Sequence, residues 1–138
     1  DEEAEQLSGE KTLIKAARKI LSLGPKQLII KKGEHGAFLF NEENMFFVPA
    51  LPLEKVCDPT GAGDTFAGGF VGHLSATKNY SFENMKKAVV IGCVMASFCV
   101  EEFGIKKLQN ITKKEIEKRI QRLTNLTKHR EIRLCNLD

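Results

Sequence analysis

The sequence predicts an α/β protein in which helices and short strands pack in layers around one core. Three observations indicate this class. Apolar residues recur at helical spacing over residues 10–23, short apolar runs follow between residues 27 and 48, and two more helical patterns occupy the second half. The 138 residues are 42% apolar and 28% charged, which suits a single domain with one hydrophobic core.

The first predicted helix covers residues 10–23 and has one apolar face. That face is formed by Leu13, Ile14, Ala17, Ile20 and Leu21. Gly24 and Pro25 end the helix, because neither residue continues a helix readily.

Three short strands are predicted next. Residues 27–31 form an apolar run typical of a buried strand, and a glycine-bounded turn follows over residues 32–36. Residues 37–40 and 45–48 are the second and third strands, joined by a polar turn.

The chain then changes character at Pro49 and Pro52, which interrupt regular structure. Residues 54–57 are predicted to be a short strand that leads into a glycine-rich segment. A helix over residues 65–74 is expected to follow, and its glycines would suit close packing on a sheet or a ligand.

Two helices with start signals complete the domain. Ser81 is a candidate N-cap for a long helix over residues 82–100, whose apolar part we expect to be buried. Thr112 and Glu115 have the spacing of a capping box, which starts a last helix that reaches about Leu123. We therefore assign residues 1–123 to the domain and residues 124–138 to a loosely held tail.

The charge pattern argues against a nucleic-acid partner. The formal net charge is only +3, and glutamates interleave with the basic residues between Lys106 and Arg133. A solvated helix face explains that pattern. No membrane partner is expected either, because the apolar stretch over residues 88–100 is shorter than the ~20 residues that cross a bilayer.

The four cysteines indicate a reducing, cytoplasmic compartment. No pair has the C-x-x-C spacing and no histidine cluster accompanies them, so a zinc site is not expected; they are Cys57, Cys93, Cys99 and Cys135. The chain opens on acidic residues, without a signal-peptide pattern. It also lacks an initiator methionine, so we interpret it as a fragment of a longer protein.

The segment over residues 58–66 has the residue types needed to bind an anion. Gly61, Ala62 and Gly63 leave the backbone accessible at the start of a helix, where free N–H groups and the positive end of the helix dipole attract negative charge. Asp64 follows directly and can accept a proton from an attacking hydroxyl. The alternative is that the three small residues form a plain tight turn and that Asp64 only caps the helix.

The run Asp58-Pro59-Thr60-Gly61-Ala62-Gly63-Asp64 resembles the D-T-T-G-A-G-D motif of the ribokinase-like (PfkB) carbohydrate kinase family, with Pro59 as its one departure. The resemblance implies the C-terminal portion of a ribokinase-like three-layer α/β/α fold. It also implies phosphoryl transfer from ATP to the hydroxyl of a small-molecule sugar or nucleoside, with Mg²⁺. In that reading Gly61, Ala62 and Gly63 bind the transferring phosphoryl group and Asp64 is the catalytic base.

Further family positions follow from the same resemblance. The turn after the first strand is similar to the family's nucleotide-binding turn, which implies nucleotide contacts for Lys31, Lys32, Gly33, Glu34 and Gly36. A plain surface hairpin is the alternative for this turn. The long helix implies adenine contacts at Gly92 and Cys93, with ordinary core packing as the alternative.

Cation sites are also implied. Glu3 is similar to the glutamate of the family's N-x-x-E motif and would help to hold Mg²⁺, although an exposed acidic terminus explains it equally well. Asp58 and the backbone of Thr60 match the first part of a monovalent cation (K⁺) site. The second part would lie near residues 99–104.

Three other functions remain open at the level of sequence. The chain could be a truncated nucleotide-binding module without catalysis, or a purely structural domain, in which the anion-binding segment has little use. A dinucleotide-binding oxidoreductase fragment is a further alternative, but it needs a third glycine that does not follow Gly63. Family members often form homo-oligomers, and we expect this chain to self-associate through exposed core surface.

Overall fold

The computed structural model describes residues 2–129, and within that range the chain forms six α-helices and three β-strands. The helices are α1 (Glu2–Ser8), α2 (Leu13–Ser22), α3 (Ala62–Thr77), α4 (Phe82–Cys99), α5 (Lys106–Asn110) and α6 (Lys113–Thr127). The strands are β1 (Leu28–Lys31), β2 (Ala37–Phe40) and β3 (Met45–Val48). None of the helices in this range has the length and hydropathy needed to cross a membrane.

The strands form one antiparallel sheet with the order β1-β2-β3. Leu39 in the central strand pairs with Ile29 on one side and Phe46 on the other. The two later strands confirm the predicted bounds, and β1 starts one residue later than predicted. Neighbouring strands are joined by short turns, so the sheet is a meander.

Side chains alternate between the two faces of the sheet along each strand, and each face carries an apolar cluster, although Met45 and Phe47 of β3 are exposed. Leu39 and Val48 belong to the main core, which also contains Phe98 of α4. On the opposite face Phe40 joins a second cluster with Ala17 of α2. The sheet thus lies between α2 and α4, which confirms the predicted α/β/α layers.

Helices α3 and α4 pack closely at two glycines. A Cβ atom on Gly92 would lie 2.9 Å from the backbone oxygen and ring of Phe66, and one on Gly69 would lie 2.9 Å from Met95 Cγ. At Gly68 and Gly72 no other described atom lies within 4 Å of such a Cβ. Of these three glycines in α3, only Gly69 packs closely against another described element.

Both predicted helix caps are present. Ser81 Oγ accepts a hydrogen bond from Asn84 N at 3.3 Å, at the start of α4. Thr112 and Glu115 exchange the two bonds of a capping box, since Thr112 Oγ1 accepts from Glu115 N and Glu115 Oε2 accepts from Thr112 N. Helix α6 runs on to Thr127, four residues beyond the predicted end. The rest of the predicted tail from residue 130, including Cys135, lies outside the described residues.

Helix α3 begins three residues before and ends three residues after the predicted 65–74, and α2 is shorter than the predicted 10–23. Two further features differ from the sequence prediction. Residues 54–57 are not a strand, because Cys57 N donates to Val100 O in a bond to the end of α4 instead of joining a ladder. Helices α1 and α5 were not predicted, and neither contains a buried residue that would produce an apolar pattern. The first turn of α1 contains Glu2, Glu3 and Glu5, which the helix dipole stabilises at that end.

Candidate anion-binding site

The N-terminus of α3 is opened by Gly61, which has a left-handed backbone (φ 79°) that glycine adopts without strain. Ala62 N donates to Pro59 O at 3.1 Å, and Thr65 N donates to Gly61 O at 2.9 Å. The N–H groups of Gly63 and Asp64 have no acceptor within residues 2–129. They are the unpaired first-turn donors that make a helix N-terminus attractive to anions.

Lys31 brings a positive charge to the same point. It is the last residue of β1, and a Cβ atom on Gly63 would lie 3.0 Å from Lys31 Nζ. The ammonium group therefore adds to the positive potential of the helix terminus. Only a residue without a side chain at position 63 leaves this approach unobstructed.

A cavity of about 950 Å³ opens beside this terminus. It gathers most of the residues that the sequence indicated, from four separate parts of the chain. Those that line it are Glu3, Lys31, Gly33, Glu34, Gly36, Ala62, Gly63 and Cys93.

The turn between β1 and β2 forms one wall of the cavity. Its centre is a short 3₁₀ helix (Gly33–His35), closed by a bond from Lys32 N to Gly36 O at 2.8 Å. Gly36 has φ 112°, and a Cβ atom there would collide with the backbone of Val48 and Ala50. This glycine is required by the close approach of two backbone segments, whatever else the turn binds.

The other predicted site residues lie within the described part of the chain but do not line the cavity. They are Lys32, Asp58, Thr60, Gly61, Asp64 and Gly92. Asp64 is exposed on the first turn of α3, next to Gly63. Gly92 is buried against Phe66 where α3 and α4 cross, which agrees with the core-packing alternative for this residue.

Asp58 and Thr60 form a closed local turn. Thr60 N donates to Asp58 Oδ1 at 2.9 Å. Hydrogen bonding by the Thr60 side chain and backbone lowers the pKa of Asp58 below its ordinary value, so this carboxylate is charged at neutral pH. On the other side of the turn, Cys99 Sγ donates to Thr60 O at 3.6 Å.

One face of α4 and its C-cap supply a mostly apolar wall, of which the sequence had indicated only Cys93. Cys93, Ala96, Ser97 and Val100 line the cavity together with Phe66 of α3. Their spacing of three, four and seven residues places them on one helix face, and that signal could have identified them from Cys93. Burial raises the pKa of the Cys93 thiol to about 12, so the group remains protonated and acts as a small apolar side chain.

Two carboxylates stand at the edge of the cavity, since Glu2 and Glu3 of α1 both contribute to its lining. Within residues 2–129, no group of three or more His, Cys, Asp or Glu side chains is arranged to hold a metal ion. A cation here would need further ligands from whatever molecule occupies the cavity.

Comparison with known proteins decides the family. The model of pfkB family carbohydrate kinases matches residues 1–111. The chain belongs to the pfkB family. Membership confirms the resemblance in the Asp58–Asp64 segment and sets the oxidoreductase alternative aside.

Relatives of this pfkB chain include a nucleoside kinase of Methanocaldococcus jannaschii. It is 41% identical over 78 residues, which cover 56% of the chain and 24% of that relative. A solved ribokinase from Thermotoga maritima is 32% identical with a TM-score of 0.72, over 88% of the chain and 40% of the ribokinase.

A second solved structure is aminoimidazole riboside kinase from Salmonella enterica, complexed with aminoimidazole riboside and an ATP analog. It is 28% identical with a TM-score of 0.72, over 86% of the chain and 39% of that kinase. These structures confirm the ribokinase-like fold. The pfkB chain spans less than half the length of each of these relatives.

Proposed function

We propose that the protein carrying this chain is an ATP-dependent phosphotransferase that phosphorylates a hydroxyl group of a sugar or nucleoside. One observation carries the proposal: the first-turn N–H groups of Gly63 and Asp64 have no acceptor within residues 2–129, and Lys31 Nζ lies close to Gly63 in the lining of the same cavity. Preorganised donors and a cation at one point stabilise the charge of a transferring phosphoryl group.

Asp64 is proposed as the general base. It stands on the same helical turn as the anion donors, so a hydroxyl near the phosphoryl group would be within reach of its carboxylate. Its side chain is exposed and lies outside the cavity lining. The acceptor therefore approaches from the side of α3 that is open in this chain, and the nucleotide occupies the cavity.

The cavity suits a nucleoside triphosphate in size and chemistry. Its apolar wall of Cys93, Ala96 and Phe66 can pack against a base, while Gly33 and Gly36 allow close backbone approach. The complex of the Salmonella relative with an ATP analog supports the choice of nucleotide.

Two cations accompany the proposal. The carboxylates of Glu2 and Glu3 fit Mg²⁺, which takes one or two carboxylates and completes its shell with phosphates and water. Bound Mg²⁺ would neutralise charge on the phosphates. Asp58 and the Thr60 carbonyl are proposed as the first part of a K⁺ site, with Asp58 kept charged by its bonds to Thr60.

The proposed setting of this activity is the cytoplasm, with small molecules as partners. The structure has free thiols at Cys57, Cys93 and Cys99, which suits a reducing compartment. The Methanocaldococcus relative is named a nucleoside kinase, and the Thermotoga relative a ribokinase. A screen of acceptors should therefore include both nucleosides and pentoses.

The first test is ATP binding by calorimetry in the presence of Mg²⁺. Gly63→Val places a branched side chain between the helix terminus and Lys31, and only the flexible Lys31 ammonium has to move. We expect affinity to fall at least about tenfold, because the phosphates lose their approach to the backbone.

Gly72→Val is the matched control, since it changes the same helix at a site with no described neighbour within 4 Å. It should bind ATP as the unchanged chain does. Equal binding by Gly63→Val would contradict the proposed phosphate position. Binding without phosphoryl transfer to any acceptor by the full-length protein would favour the alternative of a non-catalytic nucleotide-binding module.

A further inference from the structure

The C-terminal end of α4 holds the loop that leads into the anion-binding segment. Val100 O accepts hydrogen bonds from Cys57 N at 2.7 Å and from Asp58 N at 3.3 Å. Cys99 Sγ donates to Thr60 O at 3.6 Å. This stretch of loop has no helix or strand of its own. Its position relative to the cavity therefore depends on where α4 ends.

One side chain from α6 contacts that end of α4 at three points. Arg119 Nη2 donates to both carboxylate oxygens of Glu101, at 3.0 and 3.1 Å, and Arg119 Nη1 donates to Ser97 Oγ at 3.1 Å. The guanidinium carbon also lies 3.6 Å from the centre of the Phe98 ring. The three contacts span the last turn of α4 and the residues just after it.

These contacts are partly withdrawn from water. The Arg119 side chain is 16% exposed and the Glu101 side chain 26% exposed. Removing one partner from such a pair leaves the other charge in a poorly solvated place, so the effect exceeds that of a surface ion pair. Stacking of the planar guanidinium on Phe98 adds a second, directional restraint.

The position of Arg119 indicates that it would affect the cavity through α4 and not by contact with a bound ligand. It lies outside the lining of the nucleotide cavity, whereas its partner Ser97 is part of that lining. It also lies beyond residues 1–111, the part of the chain that the family model matches.

We propose that Arg119 is a positioning residue: from α6 it fixes the end of α4 and thereby the placement of the Asp58–Gly63 segment beside the cavity. The expected effect of Arg119 on catalysis rests on the proposed kinase function. Its effect on the position of the loop does not, so the positioning role and the kinase function can be tested separately.

The structural test is amide hydrogen exchange in the full-length protein with Arg119→Met. We expect exchange at Cys57 and Asp58 to rise by about tenfold, because their acceptor Val100 O is no longer held, while Leu39 in the central strand changes by less than about twofold. Lys118→Met is the matched control, since it removes an exposed charge one residue earlier on the same helix. It should leave exchange at both amides unchanged.

The kinetic test uses the same variants. If the Asp58–Gly63 segment is displaced by about 1 Å, kcat should fall by roughly 10- to 100-fold. The KM for ATP should change less, because the residues that line the cavity remain in place. Arg119→Lys keeps the charge but not the paired bonds and stacking, so it should recover only part of kcat. Glu101→Gln should reproduce the Arg119→Met pattern from the other side of the contact.

Unchanged exchange at Cys57 and Asp58 in a folded Arg119→Met protein would overturn the proposal. If that variant does not fold, Glu101→Gln decides the question by the same measurement. A full-length protein that phosphorylates no sugar or nucleoside would contradict the proposed function alone, and the exchange experiment would still decide the positioning role.

Discussion

Asp64 lies on the first turn of α3, with its side chain exposed to solvent and next to the N–H group of Gly63, which is unpaired within the described chain. The helix dipole favours a negative charge there whether or not chemistry takes place. The N–H groups of Gly63 and Asp64 and the nearby Lys31 ammonium are the observations on which the proposed catalytic role of Asp64 rests. The difference between the two roles is measurable.

Asp64→Asn keeps the size of the side chain but removes its ability to accept a proton. In the full-length protein we expect kcat to fall by about 10²- to 10⁴-fold, with ATP affinity nearly unchanged. Steady-state assays with the identified acceptor, together with calorimetry, measure both quantities. Glu83→Gln, a matched change in the first turn of α4, should leave kcat as it was. Near-normal turnover by Asp64→Asn would remove the base from the proposed mechanism.

Sequence alone could single out the candidate anion-binding residues, since Gly61, Ala62, Gly63 and Asp64 form one contiguous motif. The proximity of Lys31 to Gly63 could not be read in the same way, because it depends on how β1 ends beside α3. The contacts of Arg119 with Ser97 and Glu101 could not be predicted from the sequence either, because they join side chains that are 22 and 18 positions apart.

At the scale of elements, the crossing of α3 and α4 depends on glycine at one point on each helix. Gly92 faces Phe66, and Gly69 faces Met95. The opposite holds for Gly72, whose surroundings in the described chain are open. Glycines in the same pair of helices therefore have opposite effects on stability.

Gly92→Ala should destabilise the chain by about 1–3 kcal/mol, because the added methyl group overlaps the backbone and ring of Phe66. Gly72→Ala should stabilise it by roughly 0.5–1 kcal/mol, since alanine is the better helix former at an open site. Urea unfolding of the two variants measures both free energies. A loss of stability in Gly72→Ala, or none in Gly92→Ala, would contradict the packing described.

The elements that could be predicted are those with a periodic apolar face or a side-chain cap. A periodic apolar face marks α2, a side-chain cap marks α4, and α6 has both, while the apolar runs of β1 and β2 mark the strands. Helices α1 and α5 contain no buried residue, so no periodic apolar pattern in the sequence predicts them. Residues 54–57 look like a strand by composition, but their backbone bonds go to the end of α4, a tertiary partner that local sequence does not show.

At the scale of the whole molecule, the chain exposes several large apolar side chains. Phe103 is 69% exposed and Ile105 62%, and both follow closely after α4. Leu7 and Val56 are exposed as well. The chain covers only 39% and 40% of the two solved relatives, which are therefore much longer than it.

We therefore expect the isolated chain to self-associate as its concentration rises, because apolar surface is removed from water in the contact. Light scattering should give an apparent mass that increases above the 15.4 kDa of one chain. Phe103→Ser, which removes the most exposed of these side chains, should reduce the effect. A constant mass of one chain up to the highest concentration would contradict the expectation.

The attachment of the loop to Val100 has a consequence for the order of folding. Most contacting elements follow one another directly along the chain, as β1 and β2 or α3 and α4 do, and such neighbours find each other quickly. The bond from Cys57 to Val100 instead closes a long loop that contains α3 and α4. Closing this loop costs conformational entropy, and the packing of α3 on α4 must offset that cost first. We therefore expect the Asp58–Gly63 segment to become ordered late in folding, so that substitutions in it change the rate of unfolding more than the rate of folding.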